Sequence, residues 1–226
     1  MSVASAAYDA SLNHNLVFAI GGAEAMSSGI VYVIDDDREI RLSLSFQLST
    51  LGYKVYPFVA AADFLEQCAD LTPGCIVLDI RMSGMDGAQA LVAMRQRGID
   101  WPVIVMTGHA EVSVAVDVMK NGALDFLEKP FEDHELQTAL QRGFSRLEDD
   151  RAQAERMRRA KERLARLSPR ERDVFRLMLG GEANKVIAHK LDLSIRTIEM
   201  HRANVLAKME TRNVTEAAVM LGGRLP

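Results

Sequence analysis

Cysteine is scarce: only Cys68 and Cys75 occur in 226 residues. Two thiols make neither a disulfide framework nor a cysteine-based metal site, and they fit a reducing cytoplasm. No apolar run reaches the ~18 residues of a membrane span; the early piece Leu16–Ile20 is far too short. Residues 1–29 carry only Asp9 and Glu24 as charged groups. The missing basic n-region argues against a secretory signal. Residues 1–27 read as a disordered extension, or as an overcalled start with Met26 as the true initiator; mass spectrometry of the native protein separates the two. From Leu140 to Leu167 there is no proline and no glycine but Gly143.

The residues that are present, 48% hydrophobic and 26% charged, suit a soluble globular chain of one large or two small domains. A net charge of −4 hides a division: residues 1–150 sum to −12 and residues 151–226 to +8. Such asymmetry points to two modules with different partners, the basic half facing a polyanion or presenting a solvated basic helix.

Strand-like runs and helical patterns alternate through the first part. The strands are Ile30–Ile34, Lys54–Phe58, Cys75–Asp79, Val103–Met106 and Ala123–Leu127. The helices are Arg38–Leu51, Ala61–Ala69, Ala88–Arg97 and Val112–Lys120, with another beginning near Glu132. Five such alternations predict an α/β domain with a five-stranded, doubly wound parallel sheet. The Gly-poor stretch after Leu140, rich in Arg, Glu, Ala and Leu, predicts a continuous helical linker. Its seven-residue spacing (Leu140, Leu147, Ala154) breaks at Lys161, so a coiled coil is poorly supported. Beyond it the chain reads as all helix: Ser168-Pro169-Arg170-Glu171 is a helix start, and Lys185–Leu191, Ile195–Met209 and Thr215–Leu221 follow. Short helices and tight turns in a basic module suggest a helix-turn-helix.

In a parallel sheet, chemistry gathers at the carboxyl ends of the strands. The first strand brings Asp35 and Asp36 there, the third Asp79, the fourth Thr107 and the fifth Lys129. Three carboxylates repel one another unless a cation sits among them, and an oxygen-rich site that keeps waters suits Mg²⁺. A hydroxyl and an ammonium beside them suit the oxygens of a transferring phosphoryl group. Asp79 is the candidate nucleophile, forming an aspartyl phosphate.

Residues ~28–145 resemble the receiver domain of two-component response regulators. The matching pieces are Val33-Ile34-Asp35-Asp36-Asp37, Leu78-Asp79-Ile80-Arg81-Met82, Met106-Thr107-Gly108-His109 and Glu128-Lys129-Pro130-Phe131. The resemblance makes Asp79 the phosphoacceptor. Asp36, Asp79 and the main-chain carbonyl of Arg81 become the Mg²⁺ ligands, with Asp35 beside them. Thr107 becomes the switch hydroxyl, Phe126 the switch aromatic and Lys129 the phosphate-pairing lysine, aimed by a cis Lys129-Pro130 peptide. Ser83 departs from the proline that many members carry there, a change expected to loosen the loop without touching the chemistry.

Residues Leu167–Met220 resemble the LuxR-type helix-turn-helix, through Leu167-Ser168-Pro169-Arg170-Glu171-Arg172, Gly181, Asn184-Lys185, Ile187-Ala188, Leu191 and Ser194-Ile195-Arg196-Thr197-Ile198-Glu199-Met200-His201. The whole resembles a FixJ-type regulator: receiver 28–145, helical linker 146–166 and DNA-binding domain 167–226. Helix Ile195–Met209 would lie in the major groove, with Ile198, Val205 and Leu206 inward and Met209 below them. Arg196, Thr197, Glu199, Met200, Arg202, Ala203 and Asn204 are the outward candidates. Arg196, Arg202, Lys208 and Lys185 suit phosphates. Glu199 suits cytosine, Asn204 adenine, and Met200 and Ala203 thymine methyls. The helix carrying Val112, Val116 and Met119, the strand through Phe126 and the last receiver helix correspond to the family's signalling face and a dimer contact.

The expectation is a cytoplasmic regulator, not an enzyme, phosphorylated on Asp79 by a sensor histidine kinase. It would then dimerise and bind double-stranded promoter DNA, with RNA polymerase as a conceivable further partner and no membrane. One competing reading is a phosphate sink or adaptor that no longer reads DNA, kept open by Glu199 on the reading face. Another is a haloacid-dehalogenase-type phosphatase using Asp35. Against it, Arg38-Glu39 follows the aspartates where Thr or Val is usual, no cap domain is present, and Asp79 would have no role.

Overall fold

The computed structural model describes residues 29–108 and 112–221. The N-terminal extension and His109 of the Thr-Gly-His motif lie outside the described residues. Five parallel strands, β1 (Ile30–Ile34), β2 (Lys54–Phe58), β3 (Cys75–Asp79), β4 (Val103–Thr107) and β5 (Asp125–Glu128), form one sheet in the order β2-β1-β3-β4-β5. The register decides what meets at the carboxyl edge. Ile34 pairs with Leu78, Asp79 with Met106, and Thr107 with Glu128. Asp35 therefore comes level with Asp79, while Thr107 stands one residue further along β4 and Lys129 two residues further, just past the end of β5.

Alternate strand residues face opposite sides, and both sides are covered. Tyr32, Ile34, Ile76, Leu78 and Val105 pack with Phe64 and Leu65 of α2 (Ala61–Gln67), Leu91 and Met94 of α3 (Gly87–Gln96), and Val118 of α4 (Val112–Lys120). Val31, Val33, Cys75, Val77, Ile104 and Met106 pack with Leu44 and Leu48 of α1 (Arg38–Thr50) and Leu136 and Leu140 of α5 (Asp133–Ala165). β3 and β4 are buried throughout, which is why they read as unbroken apolar runs.

The helix near Glu132 and the linker helix are one element: α5 continues for 33 residues, about 50 Å at the α-helical rise. Its lone glycine has a packing reason. A Cβ at Gly143 would stand 2.6 Å from Cys75 Sγ. At the far end Ala160 and Leu164 join a second core with α6 (Pro169–Leu179), α7 (Asn184–Leu191), α8 (Ile195–Met209) and α9 (Val214–Met220). Side chains cap these helices as the sequence suggests. Ser168 and Glu171 form a capping box on α6, and Ser194 and Asn213 cap α8 and α9. No helix among the described residues is long and apolar enough to cross a membrane.

Candidate functional site

Lys129 organises the carboxyl edge of the sheet. Its Nζ donates to Asp35 Oδ2 at 2.8 Å and to Asp79 Oδ1 at 2.6 Å. The Lys129-Pro130 peptide is cis, and the Lys129 N–H donates to the Thr107 carbonyl at 2.6 Å. Asp35 is almost fully buried and Asp79 nearly so. Asp35 Oδ1 also accepts the Asp37 N–H at 2.8 Å, while its carbonyl accepts from the Arg41 guanidinium at 2.7 Å. Burial pushes the Asp79 carboxyl above its ordinary value, against the pull of Lys129 and of the Arg81 main-chain N–H. Burial also presses on the Lys129 ammonium, but its bonds to Asp35 and Asp79 outweigh that and hold its pKa up. The pair is therefore a retained cation between carboxylates, not a mobile proton.

Asp36 completes the cluster from the more exposed side. Asp35, Asp36 and Asp79 each offer an oxygen, and these oxygens lie within 4.8 Å of one another. Hard carboxylate donors so close together fit a divalent cation with oxygen preference. Asp37, last of the acidic run, is not part of the cluster. Its carboxylate caps α1 by accepting from the Glu39 N–H at 2.7 Å.

Ser83 corrects the expectation that it stands outside the chemistry. Its N–H and its hydroxyl both donate to Asp36 Oδ2, at 2.7 and 2.6 Å. The hydroxyl first, then the N–H, hold the Asp36 carboxyl below its ordinary value. The sequence signal was there, in a hydroxyl residue four positions after Asp79; its partner, 47 residues away, was not.

Thr107 is buried at the end of β4. Phe126 is half-buried on β5 against the core beside it. Close by, Val112, Val116 and Met119 of α4 are exposed.

In the helical domain, α8 buries Ile198, Val205 and Met209, with Leu206 partly covered. Arg196, Glu199, Met200, Ala203 and Asn204 face solvent, as does Lys185 in the first turn of α7. Thr197 is half-buried and its hydroxyl pairs with Ser194 Oγ at 2.8 Å, inside the helix cap. Two expectations need revising. Arg202 is four residues from Ile198, so helical periodicity returns it to the inward stripe; it is half-buried and lines a crevice with Met178, Gly181, Glu182 and Val214. Lys208 is already engaged: its Nζ donates to the buried Glu171 carboxylate at 2.6 Å. That bond, followed by those from Ser168, pulls the Glu171 pKa down to about 2.

A cation-bridged carboxylate cluster on a doubly wound sheet, carried with a helix-turn-helix whose long helix shows solvent a mixed polar face, defines a two-part regulatory protein. Residues 31–141 match the family model described as "Response regulator receiver domain", and residues 165–221 match "Bacterial regulatory proteins, luxR family". The transcriptional regulatory protein FixJ of Bradyrhizobium diazoefficiens is 44% identical over 191 residues, covering 84% of this chain and 93% of that one. The solved structure of the response regulator StyR superposes with a TM-score of 0.76 at 31% identity, over 88% of this chain and all of that one. Full-length FixJ from B. japonicum gives a TM-score of 0.56 at 40% identity, with the same coverage. The chain belongs to the family of transcriptional response regulators that join a receiver to a LuxR-type DNA-binding domain.

Proposed function

We propose that Asp79 is the phosphoacceptor of this regulator and that a sensor histidine kinase is the donor. The observation that carries this reading is Lys129, whose ammonium bridges Asp35 and Asp79 at 2.8 and 2.6 Å. It holds the nucleophile's carboxylate and supplies positive charge where phosphoryl oxygens would gather. An Asp79 carboxylate oxygen bonds to phosphorus as the phosphorus–nitrogen bond to the donor imidazole breaks, and the freed imidazole takes a proton from solvent. Mg²⁺, held by Asp36, Asp79 and the Arg81 carbonyl beside Asp35, would supply further neutralisation of phosphoryl charge. Hydrolysis of the acyl phosphate in the same pocket makes the protein the timer of its own signal rather than an enzyme acting on an outside substrate.

The consequence we assign is a population shift. Thr107 turns toward the phosphoryl group, Phe126 turns inward, and the α4–β5 face becomes a homodimer contact. Two α8 helices then reach half-sites about one helical turn apart on promoter DNA. Lys185 and Arg196 meet phosphates, while Glu199, Met200, Ala203 and Asn204 meet base edges, with Thr197 at the helix start. Lys208 drops out of this set because its ammonium is engaged by Glu171, and Arg202, half-buried beside Met178 and Val214, is assigned no phosphate. The division into receiver 28–145, linker 146–166 and DNA-binding domain 167–226 is part of this reading, with α5 running from the receiver through nearly all of the linker. The last side chain it gives to the sheet core is Leu147 and the first it gives to the helical core is Ala160. A cytoplasmic location, and any contact with RNA polymerase, belong to the same reading.

The test is sedimentation with and without beryllofluoride and Mg²⁺, on wild type and Asp79→Asn. Dimerisation on addition in the wild type alone is the expected result. Equal behaviour of the two proteins would overturn the assignment of Asp79.

A further inference from the structure

The three carboxylates at the sheet edge are each held in place, but by different means. Asp35 and Asp79 share Lys129, and Asp35 also takes a backbone N–H. Asp36 sits furthest toward solvent of the three, where an aspartate would otherwise sample several rotamers. Ser83 holds it there. Both of its donors converge on the single oxygen Oδ2, at 2.7 and 2.6 Å, leaving Oδ1 as the second donor atom of that carboxylate. Ser83 itself stands on the loop that follows Asp79, so Asp36 of the β1 end is tied to the β3 end across 47 positions of sequence.

We infer that Ser83 is a positioning residue for the divalent cation: it presets the Asp36 carboxylate for the metal, so that part of the site's affinity depends on a side chain that does not itself ligate. This rests on the reading of the cluster as a Mg²⁺ site. Hydrogen bonds to a ligating carboxylate fix its orientation, and losing such a partner commonly costs 10–100-fold in affinity. Proline at this position, the residue many resembling receivers carry, has neither the hydroxyl nor the N–H. Alanine keeps the N–H and loses the hydroxyl. Threonine keeps both.

The experiment is isothermal titration of the full chain with MgCl₂, in wild type, Ser83→Ala, Ser83→Pro and Ser83→Thr. Far-UV circular dichroism without metal confirms that each variant is folded. The expected order of dissociation constants is wild type and Ser83→Thr lowest, Ser83→Ala higher, and Ser83→Pro weakest by about tenfold or more. A merely structural role would alter the metal-free spectrum of Ser83→Ala and Ser83→Pro along with their affinity; weaker binding with that spectrum unchanged marks a positioning role. If the wild type binds and the alanine and proline variants bind equally well or more tightly, Ser83 does not preset the site and the inference falls alone. If the wild type takes up no Mg²⁺, the inference falls together with the reading of the cluster.

Discussion

Replacing Gly143 by alanine should destabilise the receiver even though alanine is the better helix former. Position 143 lies inside α5, and a Cβ there would stand 2.6 Å from Cys75 Sγ, 3.3 Å from Pro102 Cβ and 3.5 Å from Leu124 Cδ2. Cys75 is fully buried on β3, so its sulfur has nowhere to go, and burial also pushes its thiol up to about 12, leaving it chemically inert. Helix propensity favours alanine by about 1 kcal/mol. Forcing a methyl into a packed core costs about 1–3 kcal/mol, and a contact this short to a buried sulfur belongs at the upper end. The net is a loss of about 1–2 kcal/mol. The assay is simple because Trp101 is the only tryptophan, stacked on Tyr32 at 5.5 Å in the receiver core. Its fluorescence in urea follows the receiver and not the helical domain. With an ordinary slope for a small domain, the midpoint should fall by about 0.5–1 M. Cys75→Ala in the same chain removes the obstructing sulfur, so the double variant should exceed the sum of the two singles by about 1 kcal/mol of coupling. A Gly143→Ala midpoint that holds or rises would show that α5 stands off the sheet and would refute the argument.

Two further outcomes follow from the helical domain. Glu171 has a folded pKa of about 2, below its ordinary 4.5, so its contribution is complete above about pH 4.5 and is lost as pH falls through about 2. Lys208→Met should lower stability at pH 7 by about 2 kcal/mol and move the acid limb of helix loss toward pH 4.5. Ellipticity that falls while Trp101 fluorescence holds would mark it, and an unmoved limb would count against the pair. In DNA binding followed by fluorescence anisotropy, Lys185→Ala and Arg196→Ala should each reduce the slope of log K against log salt by about 1 without altering sequence preference. Asn204→Ala should alter the preference instead. Arg202→Ala should leave the slope unchanged, because that residue is half-buried beside Met178 and Val214; a drop of one there would put Arg202 on the phosphates.

Whatever depended on local pattern was legible before the structure. Cys75–Asp79 and Val103–Thr107 are apolar without alternation because both sheet faces are covered, and a parallel sheet has only one edge at which five strands can end. Asp35, Asp36, Asp79 and Lys129 had to meet there. The cap at Ser168 with Glu171 was equally plain, since a capping box is a four-residue event. What escaped reading was set by partners far along the chain. Ser83 looked idle because nothing within its own loop accepts its hydrogen bonds. Lys208 looked free for phosphate because Glu171, which takes it, lies 37 residues earlier. Arg202 stands four residues after Ile198, a spacing that already brings it toward the inward stripe and fits its half-burial.

The long helix α5 explains how events at the sheet can matter to α8. Its first turns are fixed by Leu136, Ala139 and Leu140 against β3–β5. Its last turns hold the end of α8. Arg163 donates to the Met209 carbonyl at 3.2 Å and to Glu210 at 2.5 Å, and Arg166 reaches the same carboxylate at 2.9 Å. Glu210 accepts both while its backbone closes α8 with a positive φ of 55°, a conformation a non-glycine residue holds only when its surroundings insist. Between Gly143 and Ala160 no residue of α5 is buried. Its ion pairs there, Arg158 with Glu155 and Glu162, are exposed and screened by salt. The middle of the connection therefore owes its form to the helical backbone and not to either core. Between Leu147, the last side chain α5 gives to the sheet core, and Ala160, the first it gives to the helical core, a turn or shift of the helix meets no buried partner, whereas a helix broken within 148–159 would leave both cores intact and uncouple them.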